Sequence, residues 1–322
     1  MSDTVGQVEI YIPSGHPDYA VCYDQSNQAR RLYNTLLACF KEWWAYKDDP
    51  NADTHITKEL GITLDPDKFP DLEAWQKIIC VAQDIRLNSK LRQQVRKKLN
   101  ESLRSVWALR RKGQSASLPS YKRGGLCELN FIRQTLSGYQ ARVIDDKQNK
   151  VIPTGWSHGI QLPTFIKPSQ VKSLQIVPVG NGFEAHILYT KPYKQGTSKG
   201  KHKAGIDPGV NNLLTCFTTN PKVRPVTVSG KPLKAINQNY NKEAARLRGE
   251  LSKAKEEDNP LEQQRLRLEL DCLAFKRHNQ IEHYLNTVTS ALGLWLVRTG
   301  VRDVALGWSE ADAWNGIADF YR

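Results

Sequence analysis

Residues 204–207, Ala-Gly-Ile-Asp, form a short apolar run that ends on a carboxylate, and Pro208 and Gly209 follow at once. A second apolar run, Asn-Leu-Leu-Thr-Cys-Phe-Thr, occupies 212–218. The pair fits two strands joined by a sharp reversal, because Pro presets one turn angle and Gly accepts the others. A third run at 224–228, two helical stretches at about 233–257 and 261–299, and a last apolar run at 302–307 follow in order. Ile281, Leu285, Val288, Leu292 and Trp295 recur at alternating spacings of four and three, which places them on one helical stripe. Gly300 stops that helix. Three strands, two helices and a fourth strand restrict this part of the chain to a sheet with helices packed on it. A charge at the tip of a core strand is costly unless something partners it. On residue types alone, Asp207 is either a turn residue or a metal ligand, and both readings stand.

Upstream the pattern changes twice. Val-Glu-Ile-Tyr-Ile at 8–12 reads as a strand, and residues 26–47 read as a helix with Leu32, Leu36, Phe40 and Trp43 on one face. A second helix starts after Pro70 with Asp71 as its cap, and Leu72, Trp75, Ile79 and Ala82 form its stripe. The third, 88–114, is the most charged. Val95, Leu99, Leu103, Val106 and Leu109 can face a core. The rest of it carries Lys90, Arg92, Arg96, Lys97, Lys98, Arg104, Arg110, Arg111 and Lys112, with only Glu101 in opposition. Exposed helix faces usually mix signs for pairing one turn apart, so this face reads as phosphate-binding, a plain solvated face being the alternative. Lys122 and Arg123 extend the same basic character. Segments 126–134, 138–145, 158–162, 172–179 and 183–190 are short, rich in β-branched and aromatic residues, and divided by Gly, Asn, Asp and Pro, which predicts strands of a small barrel or sheet. Gly180-Asn181-Gly182 marks a hairpin. If residues 8–12 join that sheet, the helices are an insertion into a β module.

Charge narrows the partners. The 322 residues carry 46 Lys and Arg against 33 Asp and Glu, a formal net charge of +13, which favours a polyanion and nucleic acid first. No apolar run approaches the roughly 20 residues that span a bilayer, and the N-terminus lacks a basic start and an apolar core, so no membrane partner is expected. Six scattered cysteines without a Cys-x-x-Cys pair read as reduced thiols of a cytosolic protein. The histidines have no metal-ligand spacing, no Ser–His–Asp order stands out, and no Gly-rich phosphate loop is present.

Longer stretches carry a resemblance. Ala-Gly-Ile-Asp-Pro-Gly-Val-Asn-Asn-Leu-Leu-Thr at 204–215 resembles the first RuvC motif of the TnpB/OrfB proteins of bacterial insertion sequences, which are related to type V CRISPR effectors. The stretch SGKPLKAINQNYNKEAARLRGEL at 229–251 and KRHNQIEHYLNTVTSAL at 276–292 are similar to two helices of that family. LNSKLRQQVRKKLNESLRSVWALRRKGQSASLPSYKRG at 87–124 and QARRLYNTLL at 28–37 are similar to its N-terminal half. The resemblance thus runs in order along nearly the whole chain. It implies an α+β multidomain architecture: a β-barrel wedge module at 1–24 and 115–192, an inserted helical recognition bundle at 25–114, a basic linker at 193–203, and a RuvC domain of RNase H-like α/β fold at 204–322. It also implies an RNA-guided DNA endonuclease, with guide RNA and target DNA as partners, Mg²⁺ as cofactor and a cytoplasmic, nucleoid-associated location. In such folds acids from separate elements converge on two divalent ions about 4 Å apart, and carboxylates suit Mg²⁺ because it is a hard cation. Asp207 is the implied first ligand. Lys90, Arg92, Arg96, Lys97, Arg104, Arg110, Arg111, Lys112, Lys122 and Arg123 are the candidate nucleic-acid contacts. Trp107 and Tyr121 are candidates for base stacking, with core packing the alternative for Trp107.

The sequence departs from the family at one end. Many members place a glutamate at the tip of the fourth strand, where this chain has Gly307. The nearest downstream acids are Glu310 and Asp312, with Glu310 the catalytic candidate and a surface-loop acid the simpler alternative. The family's zinc ribbon and final aspartate do not follow, so the RuvC domain reads as incomplete and the chain as C-terminally shortened. One aspartate does not assemble a two-metal centre. A nuclease-dead, RNA-guided DNA-binding protein is therefore the second reading, and another RNase H-fold nuclease or a transposase the third.

Overall fold

The computed structural model describes residues 4–122, 126–132, 144–145, 149–191 and 200–307. It divides into two compact units, Met1–Pro178 with Gly182–Tyr193, and Val179–Asn181 with Lys194–Arg322.

The first unit opens with β1 (Thr4–Ile12), continues through α1 (Tyr19–Asp48), α2 (His55–Glu59), α3 (Leu72–Ala82) and α4 (Ser89–Arg111), and then returns to strands. These are β2 (Leu129–Ile132), β3 (Ile144–Asp145), β4 (Lys150–Val151), β5 (Ile160–Gln161), β6 (Val171–Val179) and β7 (Gly182–Lys191). They pair as a four-stranded sheet of order β1-β7-β6-β2 and a three-stranded sheet of order β3-β4-β5. β1 runs antiparallel to β7, with Val8 opposite Ile187. Alternation then turns Phe183, Ala185 and Ile187 inward, where they are fully buried. The helices bury their stripes in the same core: Leu32, Leu36, Leu37 and Phe40 of α1, Trp75 and Ile79 of α3, and Leu91, Leu99 and Leu103 of α4. Each such side chain contributes about 1.5–3 kcal/mol by leaving water. Two starts are capped. The Asp71 carboxylate accepts from the N–H groups of Glu73 and Ala74 at 2.9 and 3.1 Å, and Asn88 accepts from Lys90 N–H at 2.9 Å.

Several elements differ from the periodicity reading. α1 begins at Tyr19 because the polar-looking stretch before Ser26 carries the buried Cys22 and Ser26 on the same stripe. The strand expected at 158–162 shrinks to Ile160–Gln161. The N–H groups of Ser157, His158 and Gly159 all donate to the Asp18 carboxylate at 2.8 Å and so are lost to any ladder. Leu109 is exposed, since the buried stripe of α4 ends at Val106. Residues 123–125, 133–143 and 146–148 lie outside the described set, so most of the strand expected at 138–145 does too.

The second unit contains β8 (His202–Pro208), β9 (Asn212–Thr218), β10 (Val226–Ser229), α5 (Lys231–Glu256), α6 (Pro260–Arg298) and β11 (Val301–Leu306). Its sheet has the order β10-β9-β8-β11. β10 pairs antiparallel with β9 and β9 with β8, whereas β11 runs parallel to β8. That parallel return needs a long crossover, and the α5–α6 pair supplies it. Pro260 opens α6, and the Asn259 side chain accepts from Glu262 N–H at 3.2 Å. Leu247, Ala254 and Leu266 seal the helix pair. Leu213, Leu233, Ile281 and Val288 join helices to sheet. Of the expected α6 stripe, Leu285 is exposed and Leu292 and Trp295 are half-buried. In β11 only Val301 is buried, so this edge strand is uncovered on both faces. The six cysteines are free thiols, all buried except the half-buried Cys272. Among the described residues no helix is long and apolar enough to cross a membrane.

Candidate functional site

Asp207 stands one residue before the end of β8, opposite Thr215 of β9. On the other side, Leu306 of β11 pairs with Ile206, and Gly307 N–H donates to Ile206 C=O at 2.8 Å. A Cβ placed on Gly307 would lie 3.4 Å from Asp207 Oδ1, so the carboxylate leans across the tip of the parallel neighbour. Local sequence explains the placement. Gly205, on the same face, has no side chain because a Cβ there would run into the Phe217 ring. Beyond Pro208, Gly209 N–H donates to Leu213 C=O at 3.1 Å and closes the reversal. Asp207 is exposed, and its carboxylate has no hydrogen-bond or ion-pair partner among the described residues. A turn aspartate commonly folds its side chain onto nearby backbone N–H groups; this one does not.

A carboxylate oxygen is a fitting ligand for a hard dication. Yet no group of three or more His, Cys, Asp or Glu ligand atoms includes Asp207 among the described residues. Taken alone this donor set does not fit a two-metal centre. Glu310 and Asp312 lie outside the described residues. Gly307→Glu is expected to place a second carboxylate beside Asp207. Its melting temperature should then rise with added Mg²⁺ more than that of wild type, since the ion binds only the folded site. Equal rises in both proteins would count against the two positions sharing a ligand.

The basic helix is less uniform than its sequence. Arg96 forms an ion pair with Glu73 of α3, and this contact holds the Glu73 carboxyl below its ordinary range. Arg92 is half-buried beside Cys80. Lys98 pairs with Glu128, which also takes Lys122 at 3.8 Å, and Lys97 lies 3.8 Å from Glu101. Burial, and next the Lys122 charge, push the Lys98 ammonium down. Glu73 and Glu128, which answer Arg96 and Lys98, come from elements distant in sequence, which helix periodicity does not reveal. Arg96 is thus engaged within the first unit and Arg92 is half-buried, whereas the nucleic-acid role read for both from the sequence remains a proposal. Lys90, Arg104, Arg111 and Lys112 have no carboxylate partner among the described residues. Arg110 donates to Ala116 C=O at 2.9 Å and lies over Trp44. Tyr121 is exposed beneath the Lys41 ammonium, 4.1 Å from the ring centre. Trp107 packs among Phe40, Trp44 and Phe69. Arg123 lies outside the described residues.

Between α4 and the four-stranded sheet runs a groove of about 410 Å³, lined by Gln94, Asn130, Ser173, Gln175 and His186 among others. His186 is held by Glu184 at 3.1 Å and Glu9 at 3.7 Å. The amides of Gln94, Asn130 and Gln175 have no side-chain hydrogen bond among the described residues. No sequence pattern marks this groove, since its amides come from three elements.

The described residues form a mixed helix-and-sheet chain of two units, with the Asp207 carboxylate at the tip of one strand. Residues 186–310 match the OrfB_IS605 family model, described as a probable transposase. No curated protein sequence matches. The chain aligns with the protein in the cryo-EM structure of a Cas12f1–sgRNA–target DNA complex at 13% identity and a TM-score of 0.47. That match covers 93% of this chain and 70% of the other. A cryo-EM structure of a CRISPR–Cas12f ternary complex matches at 14% identity and a TM-score of 0.33, covering 89% and 62%.

Proposed function

We infer that the protein is an RNA-guided DNA-binding protein of the transposon-associated nuclease type, with Asp207 the first carboxylate of a Mg²⁺ centre. The carrying observation is the Asp207 carboxylate at the tip of β8, turned toward Gly307 at the tip of the parallel strand β11. Three antiparallel strands followed by a fourth that returns parallel beside the first support an RNase H-like, RuvC-type reading of 204–322. In the first unit, β1 and β7 pair across the intervening helices, which supports a wedge module at 1–24 and 115–192 with the recognition helices of 25–114 inserted in it. Lys90, Arg104, Arg111 and Lys112 supply unanswered positive charge for phosphates. The amide-lined groove offers neutral donors and acceptors suited to base edges. A DNA partner fits a nucleoid-associated location in the cytoplasm.

When bound, Mg²⁺ would supply Lewis-acid stabilisation of charge at a phosphodiester. The chain's own contribution is to present one fixed carboxylate at the sheet edge and to hold the nucleic acid. Cleavage further requires acids beyond the described residues, for which Glu310 is the nearest in sequence. Binding without cleavage is the second reading, favoured by the lack of a companion ligand for Asp207 among the described residues.

The test is binding of RNA to the RNA-free protein across a salt series. Arg104→Gln, Arg111→Gln and Lys112→Gln together are expected to flatten the logarithmic salt slope by roughly 2–3. Arg92→Gln and Arg96→Gln should leave the slope alone and lower the melting temperature. Equal slopes for the triple variant and wild type would remove this surface from the interface.

A further inference from the structure

An aromatic cluster in the first unit lies next to the unanswered cations and has no part in the metal site or the groove. Phe40, Trp43, Trp44, Phe69 and Trp107 stand with ring centres 5.3–6.4 Å apart. Phe40 and Trp43 are buried and belong to the core. Trp44 and Trp107 are half-buried, and Phe69 is 53% exposed. The outer part of the cluster is thus a shelf of ring surface open to water. Cations border it: the Arg110 guanidinium lies 5.5 Å from the Trp44 ring centre, and the Lys47 ammonium lies 5.7 and 6.0 Å from Trp43 and Trp44. Arg111 and Lys112 follow, exposed and without a carboxylate partner among the described residues. The nearby loop acid Asp65 is taken by Lys68 at 3.1 Å.

Ring surface beside several cations suits a ligand that offers both a flat π face and negative charge. An apolar peptide would use the rings and leave the cations unanswered; an unpaired nucleotide uses both. Bases inside a duplex hide their faces in the stack, whereas loops, bulges and ends of folded RNA present them. We propose that Phe69, with Trp44 and Trp107, is a stacking platform for one unpaired base of the bound RNA, with Arg110, Arg111 and Lys112 on the adjoining phosphates. This rests on the RNA-binding reading above and adds to it a particular contact.

The probe is a short single-stranded oligoadenylate RNA, compared with the same strand made abasic and with its DNA counterpart. Wild type is expected to bind the RNA with quenching of tryptophan fluorescence. Phe69→Ala should weaken binding on the order of tenfold. Phe69→Leu, which keeps apolar bulk against Trp107, should weaken it too. The abasic strand should bind wild type as weakly as the intact strand binds Phe69→Ala, with no further loss when the two changes are combined. The salt slope should stay fixed in Phe69→Ala and fall by about 0.7 for each of Arg111→Gln and Lys112→Gln. RNA binding by wild type that is indifferent to Phe69 and to base removal would overturn the platform alone, as would tighter binding and stronger quenching by the DNA strand. Failure of wild type to bind any RNA would overturn the platform and the RNA-guided reading together.

Discussion

Asp207→Ala is expected to lower Mg²⁺-dependent cleavage of matched duplex DNA by about 10³-fold or more while leaving RNA loading and thermal stability unchanged. The separation of effects follows from the geometry. The Asp207 side chain is exposed and bonds to nothing among the described residues, so its removal leaves no orphaned donor and no cavity. Its backbone remains in the β8–β9 ladder opposite Thr215. What is lost is one anionic oxygen beside Gly307. Asp207→Asn is the sharper variant, because it keeps the shape and deletes only the charge a hard dication requires. Both variants should bind matched DNA as wild type does. Wild-type protein that binds but never cuts would establish the binding-only reading. Cleavage that survives both substitutions would remove Asp207 from the chemistry.

The second large effect concerns stability. Asp18 is 2% exposed, and its carboxylate accepts three backbone N–H groups at 2.8 Å, with His158 Nδ1 at 3.6 Å. Burial by itself would raise its pKa. The N–H donors and the His158 contact outweigh that and hold it below the ordinary 3.8. Asp18→Ala strands three donors at once and is expected to cost about 3 kcal/mol, or roughly 10 °C in the melting temperature. The sign with pH is fixed by the depressed pKa. Asp18 contributes fully above pH 4, and the contribution fades as pH falls through its folded value below 3.8. In acid, the gap between wild type and Asp18→Ala should therefore close. Parallel acid-unfolding curves for the two proteins would contradict this account of the 157–159 loop.

Much of the architecture was legible because it rests on local signals. Strong periodicity gave α4 and α6, the Asp71 cap gave the start of α3, and the Asp-Pro-Gly reversal placed Asp207 at a strand end. What stayed hidden depends on partners far apart in the chain. Nothing near residue 96 announces Glu73, nothing near residue 98 announces Glu128, and nothing near 157 announces Asp18. Two of the helix's cations, Arg96 and Lys98, are answered by such distant acids, which a count along the helix does not show. Phe69 was invisible for a related reason: a lone Phe in an Asp- and Pro-rich loop has no period, and only folding sets it against Trp107. The groove amides likewise belong to α4, β2 and β6 and converge through sheet pairing alone.

Purification of the full chain at low salt, with digestion of whatever nucleic acid it retains, bears most directly on RNA guidance. The protein should carry RNase-sensitive, DNase-resistant material, shed it steeply as salt rises, and hold duplex DNA only while that RNA is present and complementary. Protein recovered free of RNA, or one that grips duplex DNA equally well after RNase treatment, would contradict it.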